Sequence, residues 1–102
     1  MMAQLNGAEN NIAIIMIDED FNFETHKSFR NAVKESLELG AKEIILEFEN
    51  VEYMDSTALG LLMVAKDTAT EADCKIKLKN VSGYARKILE MSQFDQKFEL
   101  ID

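Results

Sequence analysis

A chain of 102 residues with 47% apolar content supports one hydrophobic core and one domain over residues 1–102, without room for a large enclosed pocket. Its 19 acids against 11 bases leave a formal charge of −8, which disfavours nucleic acid and anionic membranes as partners. It has no run of about 18 apolar residues and no basic, apolar leader, so neither a membrane span nor a signal peptide is expected, and the expected location is cytoplasmic.

A first strand is predicted near Gln4 to Ala8, before a turn at Glu9-Asn10-Asn11. Ile12-Ala13-Ile14-Ile15-Met16-Ile17 is a short, β-branched apolar run and reads as a buried strand. Asp18 to Glu24 reads as a loop carrying Phe21 and Phe23. Thr25 is the expected N-cap of a helix that runs through Leu39 and closes at Gly40. Its wheel places Phe29, Ala32, Val33, Ser36, Leu37 and Leu39 on one side and charged residues on the other. His26, the only histidine, falls near the start of this helix; with no second imidazole it points to neither zinc nor iron.

Ile44 to Glu49 is the next strand, with Glu47 and Glu49 on one face. Asp55-Ser56-Thr57 then opens an apolar helix reaching about Glu71. A short oxygen-bearing side chain such as that of Asp55 accepts a hydrogen bond from an unpaired first-turn N–H and so favours a helix start. Ser56 then lies at the positive end of the helix, where a phosphate group is stabilised. Lys75-Ile76-Lys77-Leu78-Lys79 alternates strictly, with Ile76 and Leu78 inward and the lysines on a wet face within reach of Glu47 and Glu49. Cys74, the only cysteine, precludes an internal disulfide and reads as a packing residue. A third helix from Tyr84 to about Ser92 is expected to turn Tyr84, Ile88 and Met91 inward, and Phe98 to Ile101 closes the chain as a strand. The order β-β-α-β-α-β-α-β describes an α/β sandwich with a mixed sheet and helices packed mainly on one face.

The helix that begins at Ser56 carries more apolar residues than one core face needs. At about 100° per residue from Ser56, Ala58, Leu61, Leu62, Ala65 and Ala69 form the inward stripe. Leu59 and Met63 fall away from it, beside Ser56, with Gly60 and Asp67 on the same outer side. Apolar side chains beside a modifiable hydroxyl indicate a protein docking surface; cover for Leu59 from the third helix is the competing reading. Catalysis is disfavoured: Ser56 has no histidine base nearby in sequence, and the glycines form no phosphate loop.

Val51-x-Tyr53-Met54-Asp55-Ser56-Thr57-Ala58-Leu59-Gly60, together with the element order, resembles the signature of the STAS domain (sulfate transporter and anti-sigma factor antagonist) in its free-standing bacterial form. Phe21-Asn22-Phe23-Glu24-Thr25 is similar to the segment entering the first helix in a biofilm- and secretion-associated subgroup. The resemblance implies an anti-sigma factor antagonist, not an enzyme, that needs neither cofactor nor metal. Ser56 would be the phosphoacceptor, supported by Asp55 and Thr57. The unmodified form would bind an anti-sigma factor with serine kinase activity and so free a sigma factor, and a serine phosphatase would reset it. Asn22, Met54, Leu59, Gly60 and Met63 would then contact the partner, Asn22 standing where many relatives have Asp. The alternatives are a STAS scaffold or sensor without a phospho-switch, and an acyl or peptidyl carrier protein with a serine-linked arm, which would be all-helical.

Overall fold

Three parallel pairings and one antiparallel pairing assemble the apolar runs into a five-stranded mixed sheet. A computed structural model describes residues 3–9 and 11–102; Asn10, in the predicted turn, lies outside them. In their order across the sheet, the strands are β1 (Ala3–Glu9), β2 (Ile12–Ile17), β4 (Glu43–Glu47), β6 (Lys75–Lys79) and β7 (Glu99–Ile101). β1 runs antiparallel to β2, and the other neighbours are parallel. Parallel neighbours require crossovers, which α1 (His26–Glu38), α2 (Ser56–Glu71) and α3 (Gly83–Met91) provide.

The register aligns Ile15, Leu46, Leu78 and Leu100 on one face, with Ala13, Ile44 and Ile76 one step before them. That face is buried against Phe29 and Val33 of α1, Leu62 and Ala65 of α2, and Leu89 of α3. The opposite face carries half-buried Ile12, Ile14, Met16 and Ile45, then the lysines of β6. The helices therefore cover one face, as the lysine alternation implied. The sheet also removes the carrier-protein alternative.

Departures from the predicted elements have local causes. β4 ends at Glu47, so Glu49 leaves the sheet. The buried Glu47 carboxylate accepts from Asn80 Nδ2 (2.9 Å) and from the Glu49 N–H (3.1 Å). It is Lys77 that forms ion pairs, with Glu43 at 3.3 Å and Glu99 at 3.9 Å. In α1 the helical residues stop at Glu38, and Gly40 (φ +86°) takes the left-handed position of the C-terminal cap. The Gly40 N–H then donates to Leu37 O and the Ala41 N–H to Ser36 O, and Leu39 swings out to 59% exposure instead of joining the core. Ser36 is fully buried on the apolar side because its hydroxyl donates to Ala32 O at 2.8 Å.

Thr25 is not a side-chain cap for α1; its hydroxyl accepts from the Asn22 N–H and donates to Asn22 O, closing a 3-10 turn over Phe23–Thr25. In α3 the inward stripe is one residue over from the predicted one. Val81, Ala85 and Leu89 are buried at four-residue spacing, Ile88 is half-buried, and Tyr84 and Met91 are 48% and 75% exposed.

The segment read as a loop at Asp18 to Glu24 contains a short strand, which pairs with another just before Asp55. β3 (Asp20–Phe21) and β5 (Tyr53–Met54) form a parallel two-residue ladder with Phe21 opposite Met54. Phe21 is buried against Phe29 and Phe48, at ring separations of 5.1 and 5.9 Å, which anchors the ladder to the main core.

Candidate functional site

The site is built at the carboxyl ends of the parallel strands, where the connections from β2, β4 and β6 lead into the N-termini of α1, α2 and α3. Asp55 is extended (φ −115°, ψ −176°), and its carboxylate accepts from the Ala58 N–H at 3.1 Å, the geometry of an N-cap. Ser56 is the first helical residue, is exposed, and among the described residues its hydroxyl has no hydrogen-bond partner. The first-turn N–H groups that Asp55 leaves unpaired are directed toward the space around it. Asp55→Ala should cost about 1 kcal/mol through loss of the cap. Urea denaturation would check this, and a loss below a few tenths would show that α2 starts without it.

The β3–β5 ladder fixes the neighbouring loop. The Glu52 and Tyr53 N–H groups both donate to Glu19 O, at 2.8 and 3.0 Å, and the Asp55 N–H donates to Phe21 O at 3.3 Å. Asn22 is thereby brought next to the cap, where its side chain accepts from the Glu24 N–H at 3.0 Å. Asn22 thus shapes the turn and stands half-exposed beside Asp55. Asp18, Glu19, Asp20 and Glu24 line a shallow acidic cavity of about 400 Å³ around it.

The remaining predicted contacts divide. Gly60 is exposed, with open space where a Cβ would project, and Met63 and Thr57 are half-exposed. Leu59 is half-buried and packs against the core, so it contributes to both the core and the surface. Met54 is fully buried under the ladder; as the inward residue of β5 it supports the site from beneath and is not available for contact. Tyr53, its outward neighbour, stacks on Tyr84 of α3 at 5.7 Å with rings 8° from parallel, both about half exposed. β5 is too short to show alternation and Tyr84 reads as a core residue, so this aromatic pair is not legible in the sequence.

His26 Nδ1 bonds Phe23 O, and the ring stacks on exposed Phe23 at 4.6 Å, so the histidine secures its own turn. Cys74 is buried, and desolvation lifts its thiol above the ordinary range despite the nearby Lys42 charge, which suits packing rather than nucleophilic chemistry. Among the described residues, no group of three His, Cys, Asp or Glu is placed to hold a metal ion, and no helix is long and apolar enough to cross a membrane.

A STAS-domain containing protein of Pseudomonas aeruginosa (strain UCBPP-PA14) is 34% identical over 96 residues, 94% of each chain. Among solved structures, a proposed anti-sigma factor antagonist of Thermotoga maritima superposes with a TM-score of 0.85 at 20% identity, covering 98% of this chain and 86% of that one. The anti-sigma factor antagonist SpoIIAA in its unphosphorylated form gives 0.75 at 21% identity, over 98% and 87% of the two chains. The phosphorylated form, from Bacillus, gives 0.73 at 21%, over 96% and 89%. The STAS domain model matches residues 4–102. With helices on one face of a mixed sheet, the capped Asp55-Ser56 start and this match over nearly its whole length, the chain belongs to the STAS domain family.

Proposed function

We propose that this chain is an anti-sigma factor antagonist whose docking face is controlled by phosphorylation of Ser56. The observation that carries the reading is the exposed, unbonded Ser56 hydroxyl at the mouth of α2, with open Gly60 and half-exposed Met63 continuing the surface one and two turns on. Unmodified, this surface binds an anti-sigma factor with serine kinase activity and displaces its sigma factor. A phosphate on Ser56 ends that binding, and a serine phosphatase restores it. Asp55 holds the helix start, Thr57 flanks it, and the chain performs no catalysis of its own. The site of action is the cytoplasm, where sigma factors work. Support also comes from the likeness to SpoIIAA in both forms, with TM-scores of 0.75 and 0.73: the fold accommodates either state of that protein.

Met63→Lys tests the surface. Because the lysine stem can lie along the helix while its ammonium stays in water, stability should change by about 1 kcal/mol or less. Binding to the anti-sigma factor kinase encoded in the same genome should weaken at least about tenfold in calorimetric titration, an effect typical of a contact near an interface centre. Unchanged affinity at full stability would remove α2 from the interface.

A further inference from the structure

The flank of α2 that turns away from Leu59 faces a second feature. Between α1 and α2 runs an open groove of about 730 Å³. Its floor is apolar, with half-buried Leu37 and Leu61 and with Val64 54% exposed. One wall is basic: Lys27, Arg30 and Lys34 recur at helical spacing on one side of α1, all exposed, and among the described residues none is in an ion pair. The wall on α2 is uncharged, and Glu38, at the far end, is the single acid in the lining. A chain at −8 thus concentrates 3 of its 11 cations along one apolar trough.

We propose that this groove is a docking site for an acidic amphipathic helix of a partner polypeptide. The trough follows α1 from Lys27 to Glu38, about 16 Å or three helical turns at 1.5 Å per residue, which suits a short helix lying alongside two others. Such a helix places apolar residues at i, i+3, i+4 and i+7 on Leu37, Leu61 and Val64, and carboxylates opposite Lys27, Arg30 and Lys34. The net charge of the chain opposes an extended polyanion or an anionic bilayer, whereas a helix of three turns meets only the local field of the basic wall. The groove lies on the other flank of α2 from Met63, so its occupancy is independent of the Ser56 switch.

The test uses the full ¹⁵N-labelled chain and a stapled synthetic helix of about 12 residues, Leu at the four stripe positions and Glu elsewhere, matching the trough length. A peptide with Lys in place of Glu is the control. Amide shifts should concentrate at Lys34, Leu61 and Val64, with binding weakened by added salt. The reversal K27E/R30E/K34E should lower affinity at least about tenfold, as loss of facing charge does. Val64→Glu, which leaves α1 untouched and alters an exposed site, should also abolish binding without lowering the melting temperature. The proposal is overturned by absent shifts at millimolar peptide, equal binding of the Lys peptide, or unchanged affinity in the folded reversal variant. Shifts confined to Leu59 and Met63 would equally refute it, as would cosedimentation with phosphatidylglycerol vesicles in preference to the peptide.

Discussion

Phosphorylation of Ser56 should weaken binding to the anti-sigma factor kinase by at least about a hundredfold and leave the fold in place, the largest functional effect expected of any single change here. A phosphoserine brings nearly two negative charges to a surface that already holds Asp55, Asp20 and Glu52, in a chain at −8. Within the chain this repulsion is opposed by the α2 N-terminus, where an exposed anion gains roughly 0.3–1 kcal/mol. Ser56 makes no hydrogen bond among the described residues that the modification would break. The two terms are similar in size, so stability should shift by about 1 kcal/mol or less, which for a domain of this length is a few degrees in melting temperature. The partner has no such compensation. A surface that fits a neutral hydroxyl must strip water from the phosphate or withdraw, at a cost of roughly 3–5 kcal/mol for an unpaired buried charge. Calorimetric titration and thermal melting of both forms measure the two quantities. A melting shift of about ten degrees with rearranged amides far from Ser56 would mean that the switch acts by refolding instead.

Phe21→Ala should be the most destabilising single truncation near the site, at about 3–5 kcal/mol. Phe21 is 1% exposed, packs against Phe29 and Phe48, and ties the β3–β5 ladder to the main core. Its loss leaves a cavity that rigid neighbours fill poorly, and frees the backbone that positions Asn22 beside Asp55. The melting temperature should fall by roughly 15–30 °C at the usual enthalpy for this size. Phe23→Ala, two residues on and 62% exposed, should stay within about 0.5 kcal/mol and serves as the control. Equal losses in the two variants would show that the ladder is not anchored through Phe21.

The difference between those two phenylalanines marks where the sequence stopped being legible. Ile12 to Ile17 is readable as a continuous β-branched apolar run and Lys75 to Lys79 by its alternation, and Asp55 announces the α2 helix by cap chemistry. β3 and β5 have two residues each, so no period exists; they are strands only because Phe21 and Met54 find each other across the chain. The same limit hid the Tyr53–Tyr84 stack and misplaced Met54 on the surface. In α3 the large side chains were given more weight than the four-residue spacing of Val81, Ala85 and Leu89, and packing followed the spacing. Leu39 was misread for a different reason: its helical angle is apolar, but the left-handed turn at Gly40 ends the helix before that angle applies. For the candidate site, the helix start with Asp55 as cap and Ser56 as first residue is legible from the triplet, whereas the way Asn22 comes beside it depends on backbone bonds to Phe21 and Glu19 that no local pattern encodes.

The central claim, that Ser56 is the residue through which docking is controlled, is tested most directly by mapping phosphate after incubation with the cognate kinase and ATP. Thr57, adjacent in sequence, lies about 100° around the helix, and its β-branched side chain is restricted in rotamer. It is also half-buried where Ser56 is exposed. Mass spectrometry should place the phosphate on Ser56 alone, and Ser56→Ala should take up none. Full labelling of Ser56→Ala at Thr57, or of the unaltered chain at any other residue, would contradict the account.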